Sequence, residues 1–128
     1  MPVKVLIIDD DQTLTDMYSE RMSLEGFAVA VAPDGEKGLA RVSDFQPDII
    51  LLDIMMPKIS GFQVLEMLKS QKESAQIPVI ILSALGTEEN KEKGLSAGAD
   101  MYIAKAETMP GQVVDAVKTL LKKKNHAK

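Results

Sequence analysis

Residues 49–52 and 77–82 form continuous apolar runs, with none of the in-and-out alternation of a strand that faces water on one side. Strands of this kind are buried on both faces, which happens in parallel sheets sandwiched between helices. Three further β-rich runs lie at 3–8, 27–31 and 101–104, and the segments between all five are long enough for helices. The alternation predicts one α/β domain: a (βα)5 unit whose five-stranded parallel sheet carries helices on both faces.

The helices are legible to different degrees. Val113, Ala116, Val117 and Leu120 repeat at helical spacing, and Lys122, Lys123 and Lys124 follow, where cations suit the negative end of a helix dipole. Thr108 is the expected cap of this helix, with Pro110 in its first turn. Leu14, Met17, Tyr18 and Met22 predict the inner face of a first helix that ends near Gly26. Asp34 is placed to cap a second helix, interrupted by Gly35 and Gly38. Residues 61–70 predict a third, with Phe62, Val64, Leu65 and Leu68 inward. Residues 88–98 are helix-like but hold Leu95 as their only large apolar side chain, which predicts a weakly anchored helix or a docking surface.

Composition removes several functions. With no Cys among 128 residues, disulfide scaffolds, thiolate zinc sites and Cys nucleophiles are excluded. A net charge of −4 and a pI near 5.0 disfavour direct binding of nucleic acid, which needs clustered Lys and Arg. No apolar run approaches the roughly 18 residues of a membrane span, and the N-terminus lacks the pattern of a secretory signal. A cytoplasmic location and no membrane insertion are expected.

The chemistry-bearing residues stand where the strands end. The first strand runs into Asp9, Asp10 and Asp11, the third into Asp53, the fourth into Ser83, and the fifth into Lys105. Ligands of open parallel sheets bind beyond the carboxyl ends of strands. Each residue alone has an ordinary explanation, as a turn former, a helix cap or a solvated cation. Together they make a cluster of carboxylates that must share a proton or a cation. Oxygen-only donors select a hard ion, and Mg²⁺ fits best. With Lys105 and a hydroxyl, such a site suits phosphoryl transfer onto a carboxylate such as Asp53.

Asp9-Asp10, then Leu52-Asp53-Ile54-Met55-Met56-Pro57 with Ser60-Gly61, then Ser83-Ala84, then Gly98-Ala99-Asp100 with Tyr102 and Lys105, stand in the order and spacing of one known family. The chain resembles the receiver domain of two-component response regulators over nearly its whole length. The resemblance implies a flavodoxin-like fold with strand order 2-1-3-4-5, residues 1–124 forming a stand-alone receiver and 125–128 a polar tail. It implies Asp53 as phosphoacceptor and Asp10, Asp53 and the Met55 backbone carbonyl as direct Mg²⁺ ligands, with Asp9 acting mostly through water. Ser83 and Lys105 would contact the phosphoryl group, and Tyr102 would be the aromatic that turns inward on activation. The implied partners are a histidine kinase or histidine phosphotransfer protein and a downstream protein met by the face of helix four, strand five and helix five. The domain would be a switch, not a metabolic enzyme.

Two positions depart from the family pattern. Ala106 replaces the usual Pro after Lys105, so that peptide is expected trans, because a cis bond before Ala costs about 2.5–4 kcal/mol. Leu85 is apolar where rapidly dephosphorylating members carry a polar residue. Two other readings compete. Residues 6–14 also resemble the nucleophile motif of haloacid-dehalogenase-type phosphatases, with Asp9 as nucleophile and Asp11 as general acid, although that leaves Asp53 and Pro57 unexplained. A phosphorylation-independent pseudo-receiver is the third, and the intact set Asp9, Asp10, Asp53, Ser83 and Lys105 speaks against it. His126 reads as a solvated residue near the C-terminus.

Overall fold

The computed structural model describes residues 2–105 and 108–126. Five strands, β1 (Lys4–Ile8), β2 (Ala28–Ala32), β3 (Ile49–Leu52), β4 (Val79–Ser83) and β5 (Met101–Ala104), pair in parallel in the order β2-β1-β3-β4-β5. Helices α1 (Gln12–Leu24), α2 (Gly35–Phe45), α3 (Gly61–Ser70), α4 (Glu88–Ser96) and α5 (Pro110–His126) connect and cover them. This is the flavodoxin-like arrangement expected.

The unbroken apolar runs are explained by two cores, one on each side of the sheet. Leu6, Ile8, Ile50, Leu52, Val79 and Ile81 pack with Val64, Leu65 and Leu68 of α3. Their chain neighbours Val5, Ile7, Ile49, Leu51, Ile80 and Leu82 point the other way, against Tyr18 and Met22 of α1 and Val113, Val114, Val117 and Leu120 of α5. Alternate residues of a strand face opposite sides, so a strand with no polar face must be covered twice.

Several expected boundaries shift. The fourth strand starts at Val79, not Ile77: the Ile77 N–H closes a turn onto the Ser74 carbonyl, and Pro78 has no N–H to donate. The second strand is one residue later than expected, and the first begins at Lys4. Met17, expected on the inner face of α1, is exposed; Thr15 is buried instead, and its hydroxyl donates to the Gln12 carbonyl. Phe62 is only partly buried, its ring lying under the Lys93 ammonium at 4.3 Å. At the start of α5 the capping position falls at Met109: its N–H donates to Gln112 Oε1 at 2.7 Å, and Thr108 lies one residue further out. Helix α5 continues through Asn125 and His126, across the boundary expected for a polar tail. The Lys105–Ala106 peptide, expected trans, lies outside the described residues.

Candidate phosphoacceptor and metal site

β1 and β3 lie side by side in the middle of the sheet, with Ile8 opposite Leu52. Asp9 and Asp53, the residues that follow, therefore emerge together at the carboxyl edge. Their backbones remain in the ladder: Asp9 N–H donates to the Ala32 carbonyl and Asp53 N–H to the Ile8 carbonyl. Both side chains are buried, at 4% and 5% exposure, while Asp10 is exposed. One carboxylate oxygen from each of Asp9, Asp10 and Asp53 lies within 4.8 Å of the others.

Lys105, at the end of β5, crosses to this cluster. Its Nζ donates to Asp9 Oδ2 at 2.9 Å and stands 3.5 Å from Asp53 Oδ2. One cation thus faces two buried carboxylates, and the charges do not balance. Burial first, and then the Asp9 charge, push the Asp53 carboxyl up to about 6, against the opposing pull of the Met55 N–H and Lys105. Desolvation pulls the Lys105 ammonium down, but its bond to Asp9 and the nearby Asp53 charge outweigh this and hold it above the ordinary lysine range. The site is short of positive charge, and its donors are all oxygens, with no His or Cys. That donor set fits a hard divalent cation such as Mg²⁺.

The loop after Asp53 is built around its side chain. Met55 N–H donates to Asp53 Oδ1 at 3.1 Å, fixing the carboxylate's orientation. Gly61 opens α3 directly against this loop: a Cβ there would lie 2.3 Å from the Asp53 carbonyl oxygen and 2.5 Å from Ile54 Cα. Only glycine permits that approach. Ser60 and Gln63 form a reciprocal capping box that starts α3 at this point. On the far side, Lys58, at φ 70°, reaches Asp34, the capping residue of α2, at 3.8 Å.

Ser83 ends β4 with no exposure, and its Oγ accepts the Leu85 N–H at 3.1 Å. The Tyr102 hydroxyl donates to the Leu85 carbonyl. Ser83, Leu85 and Tyr102 are therefore one connected unit, in which the peptide groups of Leu85 join two of the side chains singled out in the sequence. Nothing in the side chain of Leu85 announces this, because both bonds are made by its backbone. Asp11 stands apart from the cluster: it caps α1 by accepting the Leu14 N–H, while its own N–H donates to Asp9 Oδ1. Its carboxylate is thus engaged in capping α1, whereas the phosphatase reading would use it as a general acid beside Asp9.

The sequence matches the response regulator receiver domain family over residues 5–118. It is 43% identical over 102 residues to the DNA-binding dual master transcriptional regulator RpaA of Synechocystis, covering 80% of this chain and 42% of that protein. It is 44% identical over 102 residues to the transcriptional regulatory protein CpxR of Escherichia coli, with the same coverage of each. The chain thus matches less than half the length of these relatives. A CheY-like receiver domain protein from Methanospirillum hungatei superposes over 100% of both chains with a TM-score of 0.92 at 26% identity. Fold, site geometry and sequence agree: the chain belongs to the response regulator receiver domain family of two-component signalling.

Proposed function

We propose that this receiver accepts a phosphoryl group on Asp53 from a phosphohistidine of a partner histidine kinase or histidine phosphotransfer protein. The observation that carries the reading is the buried Asp53 carboxylate, held by the Met55 N–H and faced by Lys105, beside two further carboxylates. An Asp53 oxygen attacks phosphorus, the P–N bond breaks, and the histidine nitrogen keeps the electron pair and takes a proton from water. The product is an acyl phosphate on Asp53. Lys105, already charged and poised between Asp9 and Asp53, moves onto the phosphoryl oxygens, and the Ser83 hydroxyl donates to another.

Asp10, Asp53 and the Met55 carbonyl would hold Mg²⁺ directly, with Asp9 mostly through water. When bound, the ion supplies positive charge against the phosphoryl oxygens and offsets the carboxylate excess. Tyr102 is the switch residue that senses Ser83 through Leu85. Output runs by protein contact through the face of α4, β5 and α5, where Leu95 is exposed. No nucleic-acid contact is assigned to this domain. Among the described residues no helix is long and apolar enough to cross a membrane.

The test is phosphoryl uptake from acetyl phosphate with Mg²⁺. Wild type is expected to label, Asp53→Asn to fail, and removal of Mg²⁺ by chelator to stop labelling. Full labelling of Asp53→Asn would remove the assignment.

A further inference from the structure

Helix α4 is strongly polar, its one large apolar residue, Leu95, is exposed, and its buried residue is Gly94. Glycine is among the poorest residues for a helix interior, so its presence here needs a reason. Backbone conformation does not supply one, since Gly94 is not among the positive-φ glycines. Contact does. A Cβ at Gly94 would lie 2.7 Å from Cδ1 of Ile81 and 3.0 Å from Cδ2 of Tyr102. The bare backbone of α4 is a seat for the Tyr102 ring.

The two neighbours differ in what they can yield. Ile81 is fully buried in the middle of the sheet, whereas Tyr102 is only partly buried and can rotate outward. A methyl group at position 94 would press on both: the Ile81 Cδ1, hemmed in by the sheet, pushes α4 away, and the ring must give by a few tenths of an ångström, which strains the hydroxyl's bond to the Leu85 carbonyl. That same residue donates its N–H to Ser83 Oγ, and Gly86, next along, approaches β5 closely enough that a Cβ there would sit 3.1 Å from Ala104 Cβ. The segment between β4 and α4 is thus clamped between Ser83 and β5.

We propose that Gly94 is a positioning residue for the switch: by leaving room for Tyr102 to lie inward against Leu85, it sets how readily the Ser83 segment is held ready for a phosphoryl group on Asp53. This rests on the roles given above to Asp53, Ser83 and Tyr102. Coupling of this kind is reciprocal, so whatever disfavours the inward ring weakens ligand binding at Asp53 by the same factor.

The chain has two tyrosines and no tryptophan, which makes the test direct. Protein labelled with 3-fluorotyrosine gives one fluorine signal for Tyr102 and one for Tyr18, which is buried on the opposite face with α5 and serves as the internal control. In Gly94→Ala the Tyr102 signal is expected to become accessible to a dissolved paramagnet while Tyr18 stays protected. The affinity for beryllofluoride with Mg²⁺ falls about fivefold or more. Adding Ile81→Val, which deletes the closest methyl, restores part of both. An unmoved Tyr102 signal, or a moved one with unchanged beryllofluoride affinity, overturns the proposal. If Gly94→Ala alone loses the Tyr18 signal, the double variant decides by the same readouts: a more accessible Tyr102 with weakened beryllofluoride binding supports the proposal, and a more accessible Tyr102 with unchanged affinity overturns it. Failure of the wild type itself to bind beryllofluoride would instead strike the Asp53 assignment.

Discussion

Replacing Asp53 by Asn should stabilise the Mg²⁺-free protein at neutral and alkaline pH. The carboxyl is raised from 3.8 to about 6 in the folded chain, chiefly by burial and by the Asp9 charge, so folding favours its protonated form. Below 3.8 the group is protonated whether the chain is folded or unfolded, and the proton's contribution is fully present. It is lost as pH rises through about 6. A shift of about two pH units at 1.36 kcal/mol each sets an upper bound of about 3 kcal/mol, which solvent screening lowers to on the order of 1–2 kcal/mol, lost as pH rises from about 4 through about 6. The Asn amide is close in shape to the protonated acid, can still accept the Met55 N–H and has no proton to lose, so the variant escapes this change. Urea unfolding followed by far-ultraviolet circular dichroism, in chelator, should therefore give a difference between variant and wild type that is small at pH 4 and grows to on the order of 1–2 kcal/mol by pH 8. Mg²⁺ at about one hundred times its dissociation constant returns about 2.7 kcal/mol to wild type and little to the variant. A difference that is flat with pH, or a variant less stable than wild type at pH 8 in chelator, would refute the charge imbalance on which the site's affinity for a cation rests.

Other perturbations separate the roles of neighbouring residues. Lys105→Met leaves Asp9 and Asp53 facing each other without their shared cation and should cost on the order of 3 kcal/mol at pH 8, less at pH 5, by the same unfolding assay. Asp10→Ala should weaken Mg²⁺ binding in a titration, whereas Asp11→Ala should leave it nearly intact and lower stability by about 1 kcal/mol through loss of the α1 cap. Gly61→Ala forces a Cβ into the Asp53 carbonyl and should destabilise by about 1–3 kcal/mol or more, with slowed phosphoryl uptake. Leu85→Glu brings a water-orienting group beside the acyl phosphate and should hasten its loss; an unchanged lifetime would count against that placement.

The strands were legible because burial on both faces writes a run of four or five apolar residues with no polar partner, and the site was legible because it sits where those runs stop. What the sequence could not display is contact made by backbone or by the lack of a side chain. Gly38 and Gly94 look like defects in helices, yet a Cβ at Gly38 would meet Ile8 at 2.6 Å, and Gly94 abuts Tyr102. They are the places where α2 and α4 come close to the sheet. The Leu85 peptide, which joins Ser83 to Tyr102, leaves no mark in side-chain chemistry at all. Met17, expected inward, is exposed while Thr15 is buried, because helix periodicity shows that a face exists but fixes its rotation only loosely when apolar residues are few.

The central claim, that Asp53 carries the phosphoryl group, is open to a direct chemical test. An acyl phosphate on an aspartate is reduced by borohydride to homoserine, which marks the residue permanently. After incubation with acetyl phosphate and Mg²⁺, reduction and peptide sequencing by mass spectrometry should find homoserine at position 53 and aspartate intact at positions 9, 10 and 11. Homoserine at position 9, or at none of these positions while the protein is demonstrably labelled, would contradict the account.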